Sequence, residues 1–384
     1  MHSVYTGSEA VRNLVPGATI TVLDVDGTMI NGRNEATESE LAARSAVRAY
    51  AKETGVTVIS TARTTEMVMT AKSFALSSAQ GFERGAQKWG LDASGRCMTI
   101  PDDDHPFFKH LRDPDIINSF GVGIHVRHEC GYREDEVYVP AMREWRLHAR
   151  SILRAIDAWK YRAPIESTKN YREGVTDVEP LPYRIQLEFK GLHAFSEMRR
   201  VRYALLELRD MMRSGIIPKA MVSHDLRLDV LTSMTIVDES HPDKGRYVIY
   251  LMPRKARKHQ AIEHIIREIS SASGVKAHSL RVFVAGDTLT DLESGLYAGD
   301  SADSTFMLAG GSRIAPYLTG NRVGEKFADE SLTWVHRRLT PTNRPGFYRF
   351  KPPCRAPRTV IVGDEAFPGL VGPESVLAGL MAAH

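Results

Sequence analysis

The feature that most constrains this chain is a short apolar, β-branched run that ends abruptly in two carboxylates. Residues Thr19 to Leu23 predict a buried strand, and the segment Asp24-Val25-Asp26-Gly27-Thr28 follows at its carboxyl end. The two aspartates alternate along the chain, and Gly27 allows a tight backbone turn around a bound anion. At such a place one carboxylate can attack an electrophile while the other transfers a proton. Two aspartates that only cap the next element would give the same string.

Two further predicted strands also end in polar residues. Val56 to Ser60 ends at Thr61, and Arg281 to Ala285 ends in Gly286-Asp287. A predicted helix, 38–54, separates the first two strands, and a strand-helix-strand order indicates a parallel sheet. Ligands of open α/β sheets bind outside the carboxyl ends of the strands, so we expect a binding site there.

A second acidic pair, Asp287 and Asp291, follows the last of these strands. Carboxylate oxygens are the hard ligands that Mg²⁺ requires. Helix capping explains this pair equally well when it is taken alone. Beside Asp24 and Asp26, however, four negative charges in one cleft would repel strongly without a cation. Metal binding therefore accounts for both pairs together.

An aspartate that attacks phosphorus would form an aspartyl-phosphate. Such a reaction also needs donors that hold the charge on the oxygens of the transferred phosphoryl group. Thr61 supplies a hydroxyl at the end of the second strand. Lys258 opens a predicted amphipathic helix, because apolar residues recur at 261, 262, 265, 266 and 269. Its ammonium could then point into the cleft, although a solvated face is the more common place for a lysine in a basic run.

These residues resemble the haloacid dehalogenase-like phosphatases, and within them the group with a large cap inserted between the second and third motifs, such as sucrose-phosphate phosphatases and Cof-like proteins. Asp24 and Asp26 look like the family's nucleophile and general acid/base, and Thr28 looks like the residue that closes their loop. Thr61 is similar to the hydroxyl residue of the second motif and Lys258 to the lysine of the third. The resemblance thus implies that Thr28, Thr61 and Lys258 bind phosphate.

The acidic fourth motif of the family is matched by Asp287 and Asp291. The resemblance assigns Mg²⁺ to the Asp24 side chain, the Asp26 backbone carbonyl and Asp287. Asp291 would steady those ligands. The resemblance also implies a Rossmann-like parallel three-layer α/β core with an inserted α+β cap domain.

The resemblance and the changing texture of the sequence divide the chain into four parts. Residues 1–92 and 251–338 are predicted to form the two parts of the core, and 93–250 an inserted cap that selects the substrate. Residues 339–384 are rich in Pro and Arg, which predicts a poorly regular C-terminal arm. A basic clamp for a phosphorylated ligand or an acidic partner is the alternative.

We predict that the chain hydrolyses a small phosphate monoester, with a sugar phosphate as the first candidate, through an aspartyl-phosphate on Asp24. A sugar phosphomutase of the phosphomannomutase type is one alternative, and a non-catalytic binding protein that keeps the fold is another. Within the predicted cap, the candidates for substrate selection are Arg127, His224 and Arg227.

Composition sets the expected partners and location. The formal net charge of +3 does not demand nucleic acid or an anionic membrane as a partner. Cys97, Cys130 and Cys354 lie far apart and form no CxxC pair, which favours a reducing cytoplasm. There is neither a signal-like start nor a run of about 18 apolar residues. We therefore expect a cytoplasmic protein whose partner is a small phosphorylated metabolite.

Overall fold

The chain forms two compact units in a computed structural model. Residues 1–71, 89–135 and 257–384 make up the first unit, and residues 72–88 and 136–256 the second. The structure describes residues 3–30, 37–61, 114–119, 123–129, 131–135, 137–138, 185–190, 195–196, 198–200, 202–203, 214, 234–241, 246–253, 257–297, 303–320, 330–351 and 358–384.

Strands and helices alternate along the first unit, while the second contributes strands β6 to β8. The strands are β1 (Thr19–Leu23), β2 (Gly55–Thr61), β3 (Ile116–Ser119), β4 (Gly123–His128), β5 (Gly131–Glu134), β6 (Ile185–Lys190), β7 (Met234–His241), β8 (Arg246–Pro253), β9 (Arg281–Gly286), β10 (Asp303–Leu308), β11 (Leu339–Pro341), β12 (Phe347–Phe350) and β13 (Arg358–Val362). The helices are α1 (Glu9–Arg12), α2 (Glu38–Thr54), α3 (Lys258–Ser273), α4 (Leu289–Tyr297), α5 (Ala315–Leu318), α6 (Glu330–His336), α7 (Gly363–Ala366) and α8 (Gly372–Ala383).

A ten-stranded sheet is the framework of the first unit, with the strand order β11-β12-β13-β10-β9-β1-β2-β3-β4-β5. The central strands from β13 to β3 run parallel to one another. The outer strands β11 and β12 on one side, and β4 and β5 on the other, pair antiparallel. The predicted parallel sheet is confirmed, and β1 lies near its middle between β2 and β9.

Helices cover both faces of this sheet. Neighbouring side chains on a strand point to opposite faces. On β10, Phe306 lies against Gly295 of α4, where an added Cβ would come within 2.4 Å of the ring. The next residue, Met307, lies against Gly379 of α8. Helix α2 packs beside α8, and α3 beside α4. The α/β core therefore has the three layers that the sequence predicted.

The two helices that flank β1 carry clear local signals. Helix α2 begins with a capping box, in which the Thr37 hydroxyl accepts from the Glu40 amide and the Glu40 carboxylate accepts from the Thr37 amide. Helix α3 buries its predicted apolar face and ends before Gly274, which has a φ of +73°. None of the described helices is long and apolar enough to cross a membrane.

The prediction of a poorly regular arm over 339–384 is wrong for the residues that the structure describes. Strand β13 lies inside the sheet, between β10 and β12, and α8 buries Val376 and Leu380 in the core. The β-branched run Thr359-Val360-Ile361-Val362 favours a strand. The prolines and arginines on either side of this run indicate irregular structure and outweighed it in the prediction. Its partner strands β10 and β12 could not correct that prediction, because β10 is distant in sequence and β12 has a weak strand signal of its own.

The boundary predicted for the inserted domain at residue 93 also needs correction. Strands β3, β4 and β5 lie within 93–250, yet they extend the large sheet outward from β2. An edge hairpin joined by short turns can continue a sheet as readily as it can begin a new domain. In the second unit, β6, β8 and β7 form a three-stranded antiparallel sheet.

Replacing Leu380 by alanine is expected to lower the free energy of unfolding by about 3 kcal/mol, because a fully buried leucine leaves a cavity behind. Met381 is the matched control, since it is the next residue of α8 and is 61% exposed. Its replacement by alanine is expected to cost less than about 0.5 kcal/mol. Denaturant unfolding of both variants measures the difference. Equal losses would show that the C-terminal helix does not belong to the core.

Candidate active site

Strand β1 delivers Asp24 to the carboxyl edge of the sheet. All five residues of β1 are buried, and the Asp24 amide continues the strand by donating to the Ala285 carbonyl at 2.9 Å. The chain then turns back on itself, because the amides of Met29 and Ile30 both donate to the Val25 carbonyl, at 3.0 and 2.8 Å. The carboxylate of Asp24 is thereby fixed at the end of a buried strand, as the sequence predicted.

Lys258 contacts two of the predicted acids from the first residue of α3. Its ammonium lies 2.9 Å from Asp24 Oδ1 and 2.6 Å from Asp291 Oδ1. The residue is only 5% exposed, so the alternative of a solvated basic face is wrong. Hydrogen bonds between buried, ionised partners are among the strongest in proteins. This lysine joins the first and fourth acidic positions in one buried cluster.

Asp291 is held at both of its oxygens. While Oδ1 accepts from Lys258, Oδ2 accepts from the Thr288 hydroxyl at 2.5 Å and from the Thr288 amide at 3.3 Å. A carboxylate with donors on both sides has a fixed orientation. This arrangement suits Asp291 to orient Lys258 more than to bind a metal directly.

Asp287 completes an acidic cluster that could hold a metal ion. Oxygen atoms of Asp24, Asp287 and Asp291 all lie within 4.8 Å of one another. Gly27 lies against this cluster with a φ of +87°, and a Cβ there would be 2.0 Å from Asp287 Oδ2. A glycine is therefore needed at this position both for the turn and for the space beside Asp287. The oxygen donors suit a hard divalent cation such as Mg²⁺.

The electrostatics of the cluster show an excess of negative charge. Burial raises the pKa of the Asp24 carboxyl well above its ordinary value, and the neighbouring carboxylates raise it further. Burial alone would lower the pKa of Lys258, but the charges of Asp24 and Asp291 hold that pKa above its ordinary value. The lysine is thus protonated, yet it does not cancel the repulsion among the acids. A bound divalent cation would offset that repulsion.

The remaining predicted core residues lie at the same edge of the sheet. The Thr28 hydroxyl is buried and donates to Asp24 Oδ2 at 3.4 Å. Asp26 is exposed, and its charge contributes to raising the pKa of Asp24. Thr61 is fully buried at the end of β2, two residues beyond Ile59, which pairs with Leu23. The structure therefore brings Thr28 into contact with Asp24 and places Thr61 at the end of the adjacent strand.

The structure does not bring Arg127 to this cluster. Arg127 lies on β4 in the first unit, and its amide donates to the Asp115 carbonyl just before β3. Strand β4 runs antiparallel to β3, so Arg127 lies toward the opposite edge of the sheet from Asp24. Three strand spacings, about 14 Å, separate β4 from β1. The other two predicted selectivity residues, His224 and Arg227, lie outside the described residues.

Sequence reasoning missed two residues that contact the acidic cluster. Thr288 binds Asp291, as described above, and the Ser312 hydroxyl donates to the backbone carbonyl of Asp287 at 2.7 Å. Ser312 follows Gly310-Gly311 just beyond the end of β10. A polar residue after the fourth parallel strand of the site was a usable signal, because every such strand end points to the same edge.

The fold and the site together define an α/β protein with an acidic cluster and a buried lysine at the carboxyl edge of a parallel sheet. No protein family model and no curated protein matches the chain. Among solved structures, it is similar to a haloacid dehalogenase-like hydrolase from Bacteroides thetaiotaomicron, with 13% identity, coverage of 76% of this chain and 88% of that one, and a TM-score of 0.39.

Two phosphatases are also similar in structure. One is a haloacid dehalogenase subclass IIB sugar phosphatase, with 12% identity, coverage of 76% of this chain and 87% of that one, and a TM-score of 0.38. The other is trehalose-6-phosphate phosphatase from Aspergillus fumigatus, with 12% identity, coverage of 80% and 88%, and a TM-score of 0.37. At these scores, the function proposed below rests on the side chains of the site.

Replacing Gly27 by alanine is expected to weaken Mg²⁺ binding, because the new methyl group would displace Asp287. Gly17 is the matched control, since it has nearly the same φ, +85° against +87°, but has no atom within 4 Å of an added Cβ. Both variants should lose about 1–2 kcal/mol from the positive φ. Thermal melts over a Mg²⁺ titration separate the loss of stability from the loss of Mg²⁺ affinity. An unchanged Mg²⁺ midpoint in Gly27→Ala would argue against Asp287 as a ligand.

Proposed function

We propose that the chain is a Mg²⁺-dependent phosphohydrolase that cleaves a small phosphate monoester at Asp24. The observation that carries this proposal is the cluster of buried Asp24, half-buried Asp287 and buried Asp291, with Lys258 bonded to the two buried acids. A helix cap needs neither three converging carboxylates nor a buried ammonium between them. A site for phosphoryl transfer needs a nucleophile, positive charge and a place for a cation, and these residues supply all three.

In the first step, a carboxylate oxygen of Asp24 attacks phosphorus in line with the leaving oxygen. The new bond joins Asp24 to phosphorus, the bond from phosphorus to the ester oxygen breaks, and the substrate leaves as an alcohol. Asp26 donates the proton that the leaving oxygen requires. Its exposed side chain, two residues after the nucleophile, suits this role because the leaving group must face the open side of the site.

In the second step, water breaks the aspartyl-phosphate. Asp26, now a carboxylate, takes a proton from the water molecule as the water oxygen attacks phosphorus. The bond to Asp24 breaks, inorganic phosphate is released, and both aspartates return to their starting states. Lys258 stays protonated throughout and offsets negative charge on Asp24 and on the transferred phosphoryl group. We assign Thr28 and Thr61 as further donors to the phosphoryl oxygens.

The residues present fit a magnesium ion. Asp24, Asp287 and the backbone carbonyl of Asp26 would hold it, while Asp291 keeps Lys258 in place through the bonds already described. When bound, Mg²⁺ would supply positive charge that draws the anionic substrate to the anionic nucleophile. Without it, the acidic cluster would repel a phosphate.

A sugar phosphate is the first substrate class to test, because the motifs resemble a family that contains sugar phosphatases. The partner is then a small phosphorylated metabolite, and the cysteine spacing predicts a cytoplasmic location. The prediction that an inserted domain selects the substrate is kept as part of this proposal.

A phosphate-release screen tests the proposal. Sugar phosphates, nucleotides and phosphoglycerates are offered with Mg²⁺ and with a chelator, and Asp24→Asn serves as the control. We expect release of inorganic phosphate that depends on Mg²⁺ and on Asp24. An isomerised sugar phosphate in place of free phosphate would favour a mutase. No turnover across the panel would favour a non-catalytic role and overturn the proposal.

A further inference from the structure

The loop that follows β10 contacts the loop that carries the acids. Ser312 is 5% exposed, and its hydroxyl donates to the backbone carbonyl of Asp287 at 2.7 Å. The same oxygen accepts a longer bond, 3.4 Å, from the Ile314 amide. Since that amide can only donate, the hydroxyl proton is directed to Asp287.

The peptide between Asp287 and Thr288 is held at both of its polar groups. Its carbonyl accepts from Ser312, and its N–H, which belongs to Thr288, donates to Asp291 Oδ2 at 3.3 Å. This peptide begins at the Cα of Asp287, so the two bonds restrain ψ of Asp287 and thereby the backbone that carries its side chain. Rotation of the plane would weaken both bonds and would shift the carboxylate.

The loop that carries Ser312 is itself fixed by other parts of the first unit. The Ala309 amide donates to the Gly286 carbonyl at 2.9 Å. The Gly310 amide donates to the Ser375 hydroxyl, and the Gly311 amide to the Asp364 carboxylate, each at 2.8 Å. Ser312 therefore follows a loop that is hydrogen-bonded to β9 and to Asp364 and Ser375 of the C-terminal segment.

We propose that Ser312 is a positioning residue that orients Asp287 for the metal ion. This inference rests on the proposed function, because it takes Asp287 as a ligand of Mg²⁺. The serine touches neither metal nor substrate and acts through the carbonyl of Asp287. Partners that orient a metal ligand typically change metal affinity by about 10- to 100-fold when removed.

The test measures Mg²⁺ binding by melting temperature, with Mg²⁺ alone as the probe and no substrate present. A cation that binds only the folded protein raises the melting temperature, and the concentration dependence gives its affinity. We expect Ser312→Ala to raise the apparent Mg²⁺ dissociation constant by about tenfold or more. Ser312→Cys, which is similar in size but a weaker donor, should give a smaller rise and provides a second variant if Ser312→Ala does not fold.

Ser304 supplies the matched control. It is also fully buried, and its hydroxyl donates to the Gly295 carbonyl at 3.0 Å, but it lies at the amino end of β10, away from the acids. Ser304→Ala should lower the melting temperature without changing the Mg²⁺ dissociation constant. Equal constants for the Ser312 and Ser304 variants would overturn the positioning role alone. A wild-type protein that shows no Mg²⁺ response would overturn both this inference and the proposed metal site.

Discussion

Asp24→Asn is expected to remove Mg²⁺-dependent phosphate release almost completely. Asparagine has nearly the same shape, but its amide cannot attack phosphorus to form the covalent intermediate. Loss of a nucleophile lowers kcat by about 10⁴-fold or more in enzymes where it has been measured. Steady-state phosphate release on the best substrate from the screen measures the loss. The signature of the intermediate, transfer of labelled phosphate to the protein, should vanish with it.

The same variant should remain folded, so that lost activity cannot be attributed to lost structure. Burial and the neighbouring acids raise the pKa of Asp24, which means that its ionised form is disfavoured in the folded chain. A neutral amide removes that repulsion. We therefore expect Asp24→Asn to melt, without metal, at or above the wild-type temperature. Asp303→Asn is the matched control, since Asp303 is exposed at the amino end of β10 and should change neither property. Activity close to wild type in Asp24→Asn would exclude Asp24 as the nucleophile.

The position of the acidic cluster was predictable from local sequence alone. Parallel strands carry their carboxyl ends at one edge of a sheet. Once the runs before Asp24, Thr61 and Asp287 are assigned to parallel strands, those residues must lie at that edge. Lys258 was assigned to the site by its resemblance to the lysine of the third motif, and the buried face of its helix agrees with that assignment.

The support of the cluster was not predictable in the same way. Ser312 and Asp287 are 25 residues apart, and their bond depends on the path of two loops. Loop geometry is set by tertiary contacts such as those of Gly310 and Gly311 with residues of the C-terminal segment. No local periodicity reports contacts of this kind. The position of Arg127, away from the cluster, has a similar origin, because the direction of β4 is decided by its pairing with β3 and β5.

The C-terminal region shows how composition can mislead. Prolines and arginines predict an irregular segment, but β13 is a strand inside the sheet with buried neighbours on both sides. Arg358, its first residue, is 2% exposed. Pairing with β10 and β12 outweighs the composition of the flanking residues, since strand stability comes mainly from packing and from cross-strand neighbours. The segment thus supports the loop of Ser312 instead of forming a separate arm.

Lys258→Met is expected to be both destabilising and inactivating. Methionine matches the lysine stem in size but leaves Asp24 and Asp291 buried without their cation. Removal of one partner from a buried ion pair costs about 3–5 kcal/mol. Loss of a donor to the transferred group costs a further factor of about 10²–10³ in kcat. Denaturant unfolding without metal measures the first effect, and phosphate release at saturating Mg²⁺ measures the second.

Charge, and not the loss of lysine as such, should account for this instability. Lys276→Met is the matched control, because Lys276 is exposed just after α3 and its loss should change stability by less than about 0.5 kcal/mol. Adding Asp291→Asn to Lys258→Met removes one of the two carboxylates that the loss of Lys258 leaves unpaired with a cation, so the double variant should recover part of the lost stability. A coupling of about 1–3 kcal/mol between the two changes is expected for residues in direct contact.

Mg²⁺ should also stabilise Lys258→Met, since it supplies positive charge to the same carboxylates. If Lys258→Met unfolded at the same denaturant concentration as Lys276→Met, the buried ion pair would contribute nothing to the fold, and the excess negative charge inferred for the site would be wrong.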